Sequence, residues 1–344
     1  MTTKNIIKAF LSLSEDIKTN INSEDYQVMM KEAKQQNAWF EKNQVETALL
    51  NLTYLIDTIN NENLLKSTHF SLYNSNILII CAGNIPAVAF HDVMCVLISG
   101  AKAIIKLSSN DNIIIPFLLK RLIRYLPDME RNIEILNTKF SIPNTNYYGV
   151  IATGSNSSAL IFKEYFKDIP HIIRKSRYSC AVIQTNDDIS GLEDDICLFF
   201  GQGCRSISHL FVPKNYNFEV LTIKLQKYSN FANHTKYKNN LDYQKAIMIM
   251  NNIAFIDANS VLLRENRELY SPIGVVNYSY YEDIREVAKN LNIEKDNIQC
   301  VAISKNAFNI MDAEVCVDFG TCQKPKFIDY ADGVNILKWL SSLK

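Results

Sequence analysis

The chain has 344 residues, enough for about two domains, and 47% of them are hydrophobic, as expected for a globular protein with a full core. Lys plus Arg and Asp plus Glu each total 36, so no net field draws the protein to nucleic acid or to an anionic membrane. The eight cysteines are scattered and form no Cys-X-X-Cys pair, which argues against a zinc or iron–sulfur site and for reduced thiols in a cytosol.

The opening MTTKNIIKAFLSLSEDIK carries polar residues every few positions and lacks the unbroken apolar stretch of a signal peptide. The longest apolar run, NILIICAGNIPAVAF, is interrupted by Gly, Asn and Pro and is too short to cross a bilayer. A soluble, cytoplasmic protein with no integral membrane segment is expected. Residues 5–60 are predicted helical, because apolar residues recur at three- and four-residue spacing in IIKAFLSLSEDI and ALLNLTYLIDTI.

The pattern changes at Asn76. ILIICAG is a continuous apolar run ended by Gly83, the signature of a strand buried on both faces of a parallel sheet. NIPAVAFHDVMCVLIS predicts a helix opened by Pro86 and ended at Gly100, and AIIKLSS a second strand, together a βαβ unit. NIIIPFLLKRLIRYL follows as a helix, with Pro116 in its first turn or at a kink. NIEIL is a short strand, YYGVIATGS a strand entering a Gly/Ser turn, and SSALIFKEYFKDI a helix. HIIRK and CAVIQT read as strands, ISGLEDDICLFFGQ as one helix ending at the Gly201–Gly203 turn, and ISHLFVP as a strand closed by Pro213. Beyond 213 the alternation is less regular, with QCVAIS a strand and VNILKWLSSL a final helix. The fold class is α/β with parallel sheets, and the main boundary falls near 175–185.

Several turns could carry chemistry, and each has a plainer reading. TGSNSS at 153–158 would offer helix N-terminal amides to a phosphate, or be a capped helix; it lacks the glycines of G-X-G-X-X-G. KLSSND at 106–111 could place Lys106 near a ribose or phosphate, or leave it solvated at a strand end. In GNIP, Asn84 could donate to an oxyanion or serve as a turn residue. GQGC at 201–204 puts Cys204 after a glycine turn, where a thiol is accessible and Arg205 alone nearby could lower its pKa; most intracellular cysteines are inert. His91 reads as a satisfied helix residue rather than a ligand, His209 as a packed or exposed strand residue, and the aromatic stretch YSYYED as surface or core packing rather than a stacking platform.

Taken in order, NILIICAGNIPAVAFHDVMCVLISGAKAIIKLSSND, YYGVIATGS and FFGQGCRSISHLFVP resemble an aldehyde dehydrogenase-type chain, specifically the LuxC-type acyl-CoA reductases known from the fatty acid reductases of bacterial bioluminescence. The likeness covers residues 75–215 strongly and ADG at 331–333 weakly. It implies a Rossmann-type parallel-sheet cofactor domain with N-terminal helices over 1–178, a second α/β catalytic domain over 179–325, and a C-terminal segment over 326–344. By this resemblance Cys204 matches the catalytic thiol of Gly-Gln-X-Cys, and Asn84 the asparagine whose amide supports the oxyanion hole. Lys106 matches the lysine at the adenosine ribose, with Ser108 and Ser109 in the same turn. Thr153, Gly154 and Ser155 match the turn beside the pyrophosphate. No metal is implied.

Two departures refine the expectation. Ser109 stands where NAD-preferring relatives carry a ribose-binding glutamate, which favours NADPH; Asp111 is the rival ribose ligand if the strand end is shifted. Ile173 falls near the glutamate that activates water in hydrolytic aldehyde dehydrogenases, so exchange with CoA is favoured over hydrolysis. The expected activity is NADPH-dependent reduction of an acyl-CoA, fatty acyl or another acyl thioester, to an aldehyde through an acyl-cysteine. A glutamyl-phosphate-type acyl-phosphate reductase and a non-catalytic acyl-binding subunit are the alternatives. A homo-oligomer, or a complex with acyltransferase or synthetase subunits, stays open.

Overall fold

The structure is a computed structural model that describes residues 2–60, 72, 75–136, 146–310 and 316–343. It divides into two compact units, Met1–Ser176 with Lys324–Lys344, and Arg177–Gln323. The C-terminal residues are therefore part of the first unit rather than a piece of their own.

The first unit holds a five-stranded sheet of order β3-β2-β1-β4-β5, formed by β1 (Asn76–Ile80), β2 (Lys102–Lys106), β3 (Ile133–Ile135), β4 (Gly149–Thr153) and β5 (His171–Arg174). Every pair in it is parallel. Alternation explains the apolar runs. Ile77, Ile79, Ala103 and Ile105 face one core, shared with the helices Thr3–Asn20, Glu24–Gln36, Lys42–Asp57, Phe90–Ile98 and Ile114–Tyr125. Leu78, Ile104, Val150 and Ala152 face a smaller core with Phe166. A strand buried on both faces needs apolar residues throughout. The helix Ile336–Ser342 sends Ile336, Leu337 and Leu340 into the larger core. Trp339 of the same helix lies so close to the start of β4 that a Cβ on Gly149 would meet its ring at 2.9 Å.

The second unit holds a seven-stranded sheet of order β12-β11-β6-β7-β10-β9-β8. Its strands are β6 (Tyr178–Val182), β7 (Ile207–Pro213), β8 (Phe255–Asp257), β9 (Leu262–Glu265), β10 (Val275–Tyr281), β11 (Ile298–Ile303) and β12 (Cys316–Val317). All pairs are parallel except β8 with β9. The helix Ile284–Ile293 covers β6 and β11 through Val287 and Leu291.

Two predicted helices come out differently. Pro86 does not open the helix: Ala87 takes a left-handed φ of 57°, its N–H donates to Asp111 at 2.8 Å, and the helix begins at Phe90. The helix read over ISGLEDDICLFFGQ is only Leu192–Cys197, because Phe199 and Phe200 adopt left-handed φ of 55° and 57° and no α-helix continues through them.

One buried charge ties the N-terminal helices together. Arg121 bonds both Asp16 oxygens at 3.1 and 3.0 Å and Asp25 at 3.0 Å, and its guanidinium stacks 4.4 Å from the Tyr26 ring centroid. Replacing Arg121 by Met strands Asp16 in the interior. Removing one partner of a buried pair costs about 3–5 kcal/mol, so chemical denaturation should show a loss of that order in Arg121→Met.

Candidate functional site

In the first unit the strand ends gather the predicted residues. The sheet reverses its winding between β1 and β4, and the carboxyl ends flanking such a switch point are where α/β sheets bind ligands. Asn84 follows β1 and is exposed; Thr153 ends β4 and leads into Gly154 and Ser155. Ser155 caps the helix Asn156–Tyr165, its Oγ accepting from the Ser158 N–H at 3.2 Å, and Ser155, Asn156 and Ser157 are exposed. The Gly154 N–H donates to the Arg174 carbonyl at 3.2 Å, so β5 fixes the turn.

Lys106 ends β2, directly opposite Ile80 of β1, and is half-buried. The Ser108 hydroxyl accepts from the Asn110 N–H at 3.2 Å and packs on Gly83, where a Cβ would meet its oxygen at 2.4 Å. Ser109 is exposed and its carbonyl accepts from Gln36 Nε2 at 2.8 Å. Asp111 is buried and holds the Ala87 and Ile114 N–H groups, so it is spent on the fold rather than offered to a ribose. Ile173 lies on β5 opposite Ala152, and its hydrocarbon side chain can take no proton.

Beneath these turns lies a pair that the sequence reading passed over. Arg174 and Asp92, both 5% exposed, are joined through Nη1 and Oδ2. The bond ties the helix after the Asn84 turn to the strand beside Thr153. Asp92 is a lone charge inside the apolar stretch FHDVMCVLI, which is the signal available in the sequence; Arg174 begins the basic run RKSR and carries no such mark.

The second unit carries Cys204, at the amino end of β7. Among the eight cysteines it alone is exposed; Cys316 is half-buried and the rest are buried. Burial pushes the thiols of Cys81, Cys95, Cys180, Cys197 and Cys322 up, away from ionisation. Cys300 differs: its hydrogen bond with Cys322 and the nearby Arg205 guanidinium hold it down. The segment before Cys204 is strained at Phe199 and Phe200, both left-handed, and Gly201 continues the left-handed run without strain. Phe200 is clamped by Phe231, His234 and Tyr237, with ring centroids 4.5, 4.6 and 5.5 Å away. The Ser206 hydroxyl closes the turn, accepting from the Gly203 N–H at 3.2 Å.

His91 is half-buried and His209 fully buried, and each is hydrogen-bonded. His91 Nε2 lies 3.0 Å from the Phe327 carbonyl, and His209 bonds the Glu268 carbonyl and Ser279 hydroxyl, burial pushing it down to about 4. No metal-binding cluster occurs among the described residues, and no described helix is long and apolar enough to cross a membrane.

The family model described as Acyl-CoA reductase (LuxC) matches residues 8–340. The chain belongs to the LuxC acyl-CoA reductase family. It is accordingly an oxidoreductase acting on acyl thioesters. Its fold is that of the aldehyde dehydrogenases. Aldehyde dehydrogenase 21 from Physcomitrella patens, solved with the reaction product succinate, superposes with a TM-score of 0.65 at 13% identity, over 93% of this chain and 78% of that one. An NAD+ complex of an aldehyde dehydrogenase from Bacillus cereus gives 0.66 at 13% identity, over 93% and 76%. No curated protein matches the chain.

Asp111 gives the family's strand-end turn a pH signature. Burial raises its carboxyl to about 6, above the unfolded value. Protonation therefore favours the fold, and the stability it contributes is present near pH 4 and lost as pH rises through about 6. Measured by urea unfolding, wild type should gain on the order of 2–3 kcal/mol relative to Asp111→Asn between pH 7 and 4. A constant difference across that range would show that Asp111 does not titrate there.

Proposed function

We propose that the protein reduces an acyl-CoA, fatty acyl by resemblance, to an aldehyde through an acyl group carried on Cys204, with NADPH as reductant. The observation that carries this reading is the exposure of Cys204, at a strained glycine turn, while the other cysteines are withdrawn.

The Cys204 thiolate attacks the thioester carbonyl; the carbon–sulfur bond to CoA breaks, and CoA leaves as its thiolate. The resemblance assigns the developing oxyanion to the Asn84 amide and the Cys204 N–H. Ile173 at the place of the water-activating glutamate leaves no base there for hydrolysis, so the acyl-enzyme is kept for reduction or for return to CoA.

The first unit's carboxyl-edge turns fit a nicotinamide dinucleotide. The exposed first turn at Ser155 offers amides to a pyrophosphate, and Thr153, Gly154, Lys106, Ser108 and Ser109 lie on the same edge. The NAD+ in the Bacillus cereus neighbour agrees with that class of cofactor. NADPH would supply the hydride that takes the acyl-enzyme to the aldehyde. Ser109 presents no carboxylate to repel a 2′-phosphate, and Asp111 is turned inward.

Incubation with acyl-CoA alone should add an acyl mass to the Cys204 peptide. Cys204→Ala should lose both adduct and turnover, and near-wild-type NADPH oxidation in that variant would overturn the reading. Cofactor choice is tested separately by steady-state kinetics. kcat/KM should be higher with NADPH than with NADH, and Ser109→Glu should narrow or reverse the preference, because a carboxylate repels the phosphate but accepts from ribose hydroxyls.

A further inference from the structure

The polar residue nearest the Cys204 backbone on β6 is Ser179, 1% exposed and at the amino end of the strand. Its hydroxyl donates to the Cys204 carbonyl at 2.7 Å and accepts from the Cys300 N–H at 3.2 Å, with the Cys300 sulfur 3.1 Å away. One side chain thus joins three segments: β6, the backbone of β11, and the peptide that carries the exposed thiol.

The sheet is irregular at this point on both sides. Tyr178 pairs with Ile298 but Ser179 with Cys300, so Gln299 is an extra residue on β11. Ser179 pairs with Ile207 but Cys180 with His209, so Ser208 is an extra residue on β7. Bulges cost ladder hydrogen bonds and re-aim what they carry. Here the Ser179 hydroxyl takes up the Cys300 N–H, and the Ser208 hydroxyl bonds the Ser179 carbonyl at 3.2 Å and the Leu269 carbonyl at 2.7 Å. The two irregularities leave a short polar side chain, in place of a ladder bond, pointing at the Cys204 peptide.

We propose that Ser179 is a positioning residue for Cys204, fixing the orientation of its peptide plane and so the direction of the thiol. This rests on Cys204 being the nucleophile. The Cys204 carbonyl follows the Cα that bears the thiol, so a rotation of that plane changes the backbone angles that aim the side chain. Arg205 and Cys322 in turn hold Cys300, the second partner of the Ser179 hydroxyl.

The test compares Ser179→Ala, Ser179→Thr and Ser208→Ala. Ser208→Ala removes a hydroxyl from the neighbouring bulge without touching the Cys204 peptide. Two rates are read at Cys204 by peptide mass: alkylation by iodoacetamide, and acylation by acyl-CoA across concentrations. Losing one hydrogen bond of about 1.4 kcal/mol corresponds to about tenfold. Ser179→Ala should slow saturated acylation by about that factor with half-saturation unchanged, and should slow alkylation. Ser179→Thr should restore both rates, and Ser208→Ala should keep both near wild type. Unchanged rates in Ser179→Ala, an equal loss in Ser208→Ala, or recovery of Ser179→Ala only as unfolded protein would overturn the proposal. If wild-type Cys204 takes up no acyl group, the acyl-enzyme reading fails on its own, and the alkylation rates still decide the role of Ser179.

Discussion

Parallel pairing governs the first unit. Because β3, β2, β1, β4 and β5 all run the same way, their carboxyl ends share one edge, and every turn that leaves a strand opens there. Ile80 is level with Lys106 and with Ala152, and Thr153 is level with Arg174. Residues far apart in the chain reach a common line through the strand register. The Asp92–Arg174 bond then locks two parts of that line, and Asp111 locks a third by holding backbone amides on either side of it. The interior charges of this unit are spent on the fold, joining helix to helix, helix to strand and carboxylate to loop amides.

The second unit uses the opposite end of its sheet. Cys204 precedes β7, and Ser179 lies at the start of β6. Here the pairing is broken rather than regular, and side-chain hydroxyls replace backbone bonds. A regular ladder fixes strands; a bulged one leaves a place where a hydroxyl can grip a peptide.

What the chain discloses on its own follows from how local each cause is. The run ILIICAG is legible as a strand because burial on two faces marks every residue in it. TGS, GNIP and GQGC are legible because turns demand particular residues at particular places. The start of the helix at Phe90 is not, since it depends on a carboxylate at Asp111, 24 residues from Ala87. The early end of the helix at Cys197 is hidden too: nothing near Phe199 announces a left-handed backbone, and its support comes from residues 231–237. Ser179 looks like any small strand residue until β11 and β7 have set their registers around it.

The left-handed run Phe199–Gly201 places the cause of the thiol's turn outside the turn itself. Bulky residues in that conformation cost about 1 kcal/mol or more each. Phe200 packs there against rings that come some thirty residues later in the chain. The segment that leads into Cys204 is therefore shaped by distant packing rather than by local propensity, and its geometry belongs to the folded unit and not to the motif.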